Sequence, residues 1–133
     1  MKILIADDQE QFIHLMQTKL EEFGETDVAR NGREAFQMYC KQLKSEHPYD
    51  LLCVDLEMPS QSGIKTIQMI REIEEKVETP TDARVKIIVV SGHETDSCAR
   101  NAIDSGGDDY VAKSTVAKDL PVAVKKLFRE QNN

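Results

Sequence analysis

The chain has 133 residues, with 17 Lys and Arg against 24 Asp and Glu and a formal net charge of -7. That length fits one domain whose core needs neither disulfides nor a structural metal, and the acidic balance argues against direct contact with nucleic acid or an anionic membrane, both of which call for clustered Lys and Arg. Cys40, Cys53 and Cys98 form no CxxC pair and Met1-Lys2 leads into an apolar run with no signal-like h-region, so the expectation is a soluble, cytoplasmic protein with reduced thiols, no zinc site and no stretch near the roughly 20 apolar residues of a bilayer span.

In chain order, Ile3-Leu4-Ile5-Ala6 is an apolar run ending in the pair Asp7-Asp8. Phe12, Met16, Leu20 and Phe23 follow at helical spacing and stop at Gly24, which predicts a first helix. Thr26 to Arg30 reads as a short strand. Asn31 followed by Glu34 reads as a cap pair opening a second helix, with Ala35, Met38, Tyr39 and Leu43 on its buried stripe. Leu51-Leu52-Cys53-Val54 runs into Asp55. Ser62 and Gly63 then precede Ile64, Ile67, Ile70, Ile73 and Val77 at helical spacing, and Thr79-Pro80-Thr81 closes that helix. The charged stretch Arg71 to Lys76 reads as its solvated face. Ile87-Ile88-Val89-Val90 runs into Ser91. Cys98, Ala99, Ala102 and Ile103 mark a small-residue helix stopped by Gly106-Gly107, and Tyr110-Val111-Ala112 runs into Lys113. Leu120, Val124, Leu127 and Phe128 mark the last helix, with Asp119 as its N-cap and Pro121 in its first turn, where a missing N–H has no intrahelical partner anyway.

Five βα units in alternation predict an α/β fold, a doubly wound five-stranded parallel sheet with right-handed crossovers and helices on both faces, residues 1–133 forming one domain. In such a sheet, ligands bind beyond the carboxyl ends of the strands, near the point where strand order reverses. The residues that end the apolar runs therefore propose a common site.

Carboxylates gathered there repel one another, by on the order of 4 kcal/mol for a pair about 4 Å apart at an effective dielectric near 20. A hard divalent cation offsets that cost, and Mg²⁺ binds through one or two carboxylates while keeping waters that a phosphate oxygen can replace. Asp8 and Asp55 are the expected direct ligands. Lys113 offers a point charge and Ser91 a hydroxyl to phosphoryl oxygens. A carboxylate so flanked can attack phosphorus, which makes Asp55 the candidate nucleophile, forming an acyl phosphate while its neighbours fix in-line geometry and neutralise charge. Gly92 leaves space for the incoming group.

These residues resemble a response-regulator receiver domain of two-component signalling, from Met1 to about residue 130. The resemblance is carried by Asp7-Asp8, by Asp55 followed by Met58-Pro59 and Gly63, by Ser91-Gly92, and by Gly106-Gly107-Asp108-Asp109-Tyr110-Val111-Ala112-Lys113, in this order and on strand ends. It implies a flavodoxin-like (βα)5 sheet in the order 2-1-3-4-5. It also implies that Asp55 receives a phosphoryl group from a histidine kinase or histidine phosphotransfer protein, and that Asp8, Asp55 and the backbone carbonyl of Glu57 bind Mg²⁺, with Asp7 joining through water. Ser91 and Lys113 would hold the phosphoryl oxygens. Ser91 and Tyr110 would act as a switch, Tyr110 turning inward and reshaping the face formed by the fourth helix, fifth strand and fifth helix. The output implied is binding of a downstream protein target or a covalently linked output domain, with no turnover of an external substrate. Glu57 and His93 occupy positions that in the family influence phosphoryl lifetime. One departure stands out: Ser114 follows Lys113 where most members carry proline after a cis peptide bond, and without proline a cis bond costs about 2.5–4 kcal/mol.

Two enzyme-like or cofactor-binding rivals fit less well. An aspartyl phosphohydrolase wants a second carboxylate in an Asp-x-Asp pattern, where this chain has Asp55-Leu56-Glu57. A flavin site of flavodoxin type wants a hydroxyl- and glycine-rich phosphate loop after the first strand, where Asp7-Asp8-Gln9-Glu10 would repel phosphate. The alternative that Ser114 favours is a receiver-like interaction module that no longer depends on phosphorylation. His14, off the apolar stripe, and His47, in a loop, read as solvated.

Overall fold

The computed structural model describes residues 1–92 and 96–131. Five strands, β1 (Lys2–Ala6), β2 (Glu25–Ala29), β3 (Leu51–Asp55), β4 (Lys86–Ser91) and β5 (Asp109–Ala112), form one parallel sheet in the spatial order β2-β1-β3-β4-β5. The helices are α1 (Glu10–Leu20), α2 (Gly32–Leu43), α3 (Gly63–Lys76), α4 (Asp96–Asp104) and α5 (Val116–Gln131). The predicted fold and strand order are both met.

The strands are apolar nearly throughout because alternate residues serve two cores. Ile3, Ile5, Leu51, Cys53, Ile88 and Val90 pack with Met16 and Leu20 of α1 and Leu120 and Val124 of α5. Leu4, Leu52, Val54, Ile87 and Val89 pack with Ala35 and Tyr39 of α2, Ile67 and Ile70 of α3, and Ala102 of α4. A period of two with both phases apolar is what helices on both faces require. Burial pushes the Cys53 thiol up to about 12, so it serves as core.

Helix starts follow the predicted caps where a short polar side chain reaches back. Asn31 Oδ1 accepts the Glu34 N–H at 2.8 Å and Ser62 Oγ accepts the Lys65 N–H at 3.2 Å. Other boundaries move. β2 runs one residue earlier than expected, and α1 ends at Leu20, leaving Phe23 beyond it with Ile13 in the buried stripe instead. α5 begins at Val116, ahead of Asp119, because a 3-10 turn at Lys113–Thr115 feeds straight into it. Thr115 Oγ1 bonds Asp119 Oδ2 at 2.6 Å, so Asp119 lies within the helix and Pro121 in its second turn. Ile103, placed on the α4 stripe, is 44% exposed, while Ala102 is buried. The side chain of Cys98 and the whole of His93 lie outside the described residues.

The largest correction concerns α3. It ends at Lys76, and Val77, read as part of its stripe, is a half-exposed C-cap. Arg71 to Lys76 is not simply a solvated face, since Glu74 is fully buried. Glu74 Oε1 meets Arg71 Nη1 at 2.6 Å, and its Oε2 accepts the Val85 N–H at 2.9 Å. Arg71 also donates to the Gly106 carbonyl at 2.9 Å and to Asp108 Oδ2 at 3.0 Å, and Asp108 Oδ2 accepts the Ile87 N–H at 2.7 Å. This network ties α3 to the amino ends of β4 and β5. Burial, and then the Glu74 charge beside it, hold the Tyr39 hydroxyl above its ordinary range.

Candidate functional site

The strand order reverses at β1 and β3, which are neighbours, while the chain between them runs out to β2. Their carboxyl ends deliver Asp7 and Asp8, just past β1, and Asp55, the last residue of β3. Asp7 continues the sheet, its N–H bonding the Ala29 carbonyl at 3.1 Å, and is fully buried. Its Oδ1 accepts the Gln9 N–H at 2.9 Å, turning the chain into α1. Asp8 is exposed and Asp55 buried. Asp55 Oδ1 accepts the Glu57 N–H at 3.1 Å, a turn that swings the following loop away from the strand. Gly63 makes the return possible, because a Cβ there would lie 2.3 Å from the Asp55 carbonyl oxygen and 2.7 Å from Leu56 Cα.

One carboxylate oxygen from each of Asp7, Asp8 and Asp55 lies within 4.8 Å of the others. Lys113, just past β5, crosses to them, its Nζ 3.0 Å from Asp55 Oδ2 and 3.2 Å from Asp7 Oδ2. All peptide bonds among the described residues are trans, so Lys113 reaches Asp55 with Ser114 behind it. Asp55, Asp8, Glu57, Gly92 and Lys113, with Gln9 and Phe12, line an open cleft of about 410 Å³.

The electrostatics are uneven. Three carboxylates face one ammonium. Burial holds the Asp55 carboxyl above its ordinary range, reinforced by Asp7, while Lys113 and the Glu57 N–H act in the opposite sense. Among the described residues Asp7 Oδ2 has only the ion pair with Lys113 and no hydrogen-bond donor, although it is buried. An unsatisfied buried carboxylate oxygen costs free energy unless something cationic completes it. An all-oxygen set with one solvent-facing member fits a hard cation such as Mg²⁺, whose remaining positions water fills.

The other expected residues lie at neighbouring levels. Ser91 ends β4, fully buried, and pairs across the sheet with Ala112; Asp55 pairs with Val90, one residue below. Tyr110 pairs with Val89, further from the carboxyl end, and packs half-buried against the core shared with α2 and α3. Gln9 and Phe12 were not expected at the site. Gln9 Oε1 accepts from Lys113 Nζ at 2.6 Å, and the Phe12 ring centroid lies 4.4 Å from the same nitrogen. The signal available for Gln9 was its place directly after the acidic pair.

An acidic cluster and a lysine at the switch point of a 2-1-3-4-5 sheet define a class of phosphate- and cation-handling α/β domains. Comparison with known proteins narrows the class. The response regulator receiver domain family matches residues 3–125. The chain is 33% identical over 129 residues to the transcriptional regulatory protein ResD of Bacillus subtilis, spanning 96% of this chain and 48% of that one. It is 31% identical over 132 residues to the hybrid signal transduction histidine kinase I of Dictyostelium discoideum, spanning 98% of this chain and 7% of that one. It thus covers about half, or far less, of these relatives. Its fold matches the co-crystal structure of the Saccharomyces cerevisiae histidine phosphotransfer protein Ypd1 and the receiver domain of its downstream response regulator Ssk1, with a TM-score of 0.81 at 23% identity, covering 95% of this chain and 87% of that one. The chain belongs to the response regulator receiver domain family, the receivers of two-component signalling.

Proposed function

We propose that this receiver is a phosphorylation-activated switch in which Asp55 accepts a phosphoryl group from a histidine kinase or histidine phosphotransfer protein. The observation that carries this reading is the undercompensated cluster: buried Asp55 among Asp7, Asp8 and Lys113, with a buried Asp7 oxygen that, among the described residues, meets the lysine but no hydrogen-bond donor. An Asp55 carboxylate oxygen attacks phosphorus in line. The new P–O bond forms as the bond from phosphorus to the donor imidazole nitrogen breaks, and that nitrogen keeps the electron pair and takes up a proton from solvent. Lys113 neutralises charge on the transferring group, and Ser91 is assigned the hydroxyl donor to a second oxygen. Asp8, Asp55 and the Glu57 carbonyl would hold Mg²⁺, with Asp7 joining through water. When bound, Mg²⁺ supplies charge to the phosphoryl oxygens.

The switch assigned to Ser91 and Tyr110 follows from a local change of charge. The acyl phosphate favours whichever arrangement gives it more contacts, and the surface of α4, β5 and α5 is the proposed readout for a downstream protein or a linked output domain. The relatives' names support the partner classes, since they include a histidine kinase, a transcriptional regulator and a receiver crystallised with a phosphotransfer protein. Lys113 lying against Asp55 with Ser114 in place supports the phosphoacceptor reading over an interaction module independent of phosphorylation.

Intact mass after incubation with acetyl phosphate and Mg²⁺ tests the proposal. The expected result is one phosphoryl adduct, lost in Asp55→Asn and strongly reduced in Asp8→Ala and in metal-free samples. No adduct on the wild type with either acetyl phosphate or a phosphohistidine donor would overturn it.

A further inference from the structure

We propose that Phe12 and Gln9 are positioning residues that hold the Lys113 ammonium over Asp55, a role resting on the phosphoryl-transfer reading above. Both come from the segment that opens α1, far from Lys113 in sequence, and both line the same cleft. Lys113 Nζ donates to Gln9 Oε1 at 2.6 Å and to Asp55 Oδ2 at 3.0 Å, lies 3.2 Å from Asp7 Oδ2, and sits 4.4 Å from the Phe12 ring centroid. The lysine side chain among these groups is only 9% exposed.

Such a hold answers a specific weakness. Lysine is a point charge on a flexible four-carbon stem with much rotamer freedom to lose. The residue after it is Ser114, in a 3-10 turn, so no pyrrolidine ring limits the backbone beside it. Once Asp55 carries a phosphoryl group, its oxygen no longer offers the lysine a full carboxylate charge. Gln9 and Phe12 remain, beside the Asp7 carboxylate 3.2 Å from the same nitrogen. Both attract the ammonium without neutralising it, one through an amide oxygen and the other through the negative face of a ring, so its charge stays available to phosphoryl oxygens. A further carboxylate in either place, added to Asp7, would compete with that role.

The ordinary reading of Phe12 is core filler, since it packs against the cluster beneath α1. Phe12→Leu keeps an apolar side chain there and removes only the ring face, whereas Phe12→Tyr keeps the ring. The experiment uses the full chain with two readouts. The first is the initial rate of adduct formation with acetyl phosphate and Mg²⁺. The second is the NMR shift of the Lys113 Hε protons without metal, which a ring face beside Nζ moves upfield. Phe12→Leu should slow the rate about three-fold and return Hε to the ordinary lysine position. Gln9→Ala should slow it about five-fold with the upfield shift reduced. Phe12→Tyr should stay within about two-fold of wild type and keep the shift. A wild type that forms adduct while Phe12→Leu and Gln9→Ala match its rate would overturn this proposal and leave the phosphoryl-transfer reading standing. An ordinary Hε position in the wild type would also overturn it. A wild type that forms no adduct would remove the earlier reading, and this role with it.

Discussion

At the carboxyl end of the sheet, Asp7 and Asp55 share the Lys113 ammonium beside Asp8, and among the described residues a buried Asp7 oxygen lacks a hydrogen-bond donor. At the amino ends of β4 and β5, Arg71, Glu74 and Asp108 are gathered just as closely, yet the bonds close. Both Glu74 oxygens are taken, by the Arg71 guanidinium and the Val85 N–H, and Asp108 Oδ2 serves Arg71 and the Ile87 N–H together. The same chemistry of buried charge therefore appears in two conditions. A satisfied network fixes α3 against the sheet, whereas the less satisfied one is where we propose a cation and a phosphoryl group bind, and departures from full satisfaction concentrate at functional sites.

Breaking the closed network should have the largest effect. Glu74→Ala removes a fully buried carboxylate and leaves the Val85 N–H without its acceptor and the Arg71 guanidinium with only Gly106 and Asp108, so we expect a loss of about 3 kcal/mol in urea unfolding. A loss below about 1 kcal/mol would mean that water replaces Glu74 readily, and the contrast between the two ends would fade. Next is Gly63→Ala at the open end. The added methyl meets backbone of Asp55 and Leu56, which cannot move aside as a side chain would, so a loss of about 1–3 kcal/mol and reduced adduct formation are expected together. Loss of stability with unchanged adduct formation would detach this glycine from the site.

Asp55→Asn should act in the opposite direction and stabilise the protein at neutral pH. Burial, reinforced by Asp7, holds the Asp55 carboxyl above its ordinary range. The unfolded chain thus releases that proton at lower pH than the native one, and stability is lost as pH rises from the ordinary carboxylate range through the raised native pKa. Asparagine does not titrate and avoids that loss. The gain measured by thermal unfolding should be full at pH 7 and shrink on acidification as the wild-type carboxyl becomes protonated. A gain that is constant with pH would assign the effect to packing instead. If Mg²⁺ binds as proposed, the difference should narrow with the ion present, since it would stabilise the wild type in proportion to its occupancy.

The two ends were unequally legible in the sequence. Four apolar runs ending in Asp7-Asp8, Asp55, Ser91 and Lys113 place the open cluster without any knowledge of contacts, since strand ends in a parallel sheet lie together by topology. The closed network has no such guide. Arg71 finds Gly106 and Asp108 at separations of 35 and 37 residues, and within α3 its surroundings read as an ordinary charged face. The one local hint was Arg71 and Glu74 at a spacing of three, flanked by Ile70 and Ile73, which places both beside the buried stripe. Phe12 was hidden for another reason. Helical periodicity assigned it to the stripe of α1, and periodicity cannot tell a ring that only fills space from one that also faces a lysine.

The smallest predicted effect lies beside the closed network and tests whether it, too, carries strain. After α3 the Glu78 N–H bonds the Glu75 carbonyl at 3.1 Å and the Thr79 N–H bonds the Glu74 carbonyl at 2.9 Å, the pair of bonds that ends a helix through a left-handed residue. That residue is Glu78, with φ of 55°, where glycine is usual. A side chain there crowds its own carbonyl, at a cost of roughly 1–2 kcal/mol, while glycine gives part of the gain back through a freer unfolded chain. Glu78→Gly should therefore stabilise by up to about 1 kcal/mol in urea unfolding, with no change in adduct formation. No gain, or a loss, would mean that Glu78 makes a compensating contact through its side chain and that this end of the molecule is as fully satisfied in its backbone as in its charges.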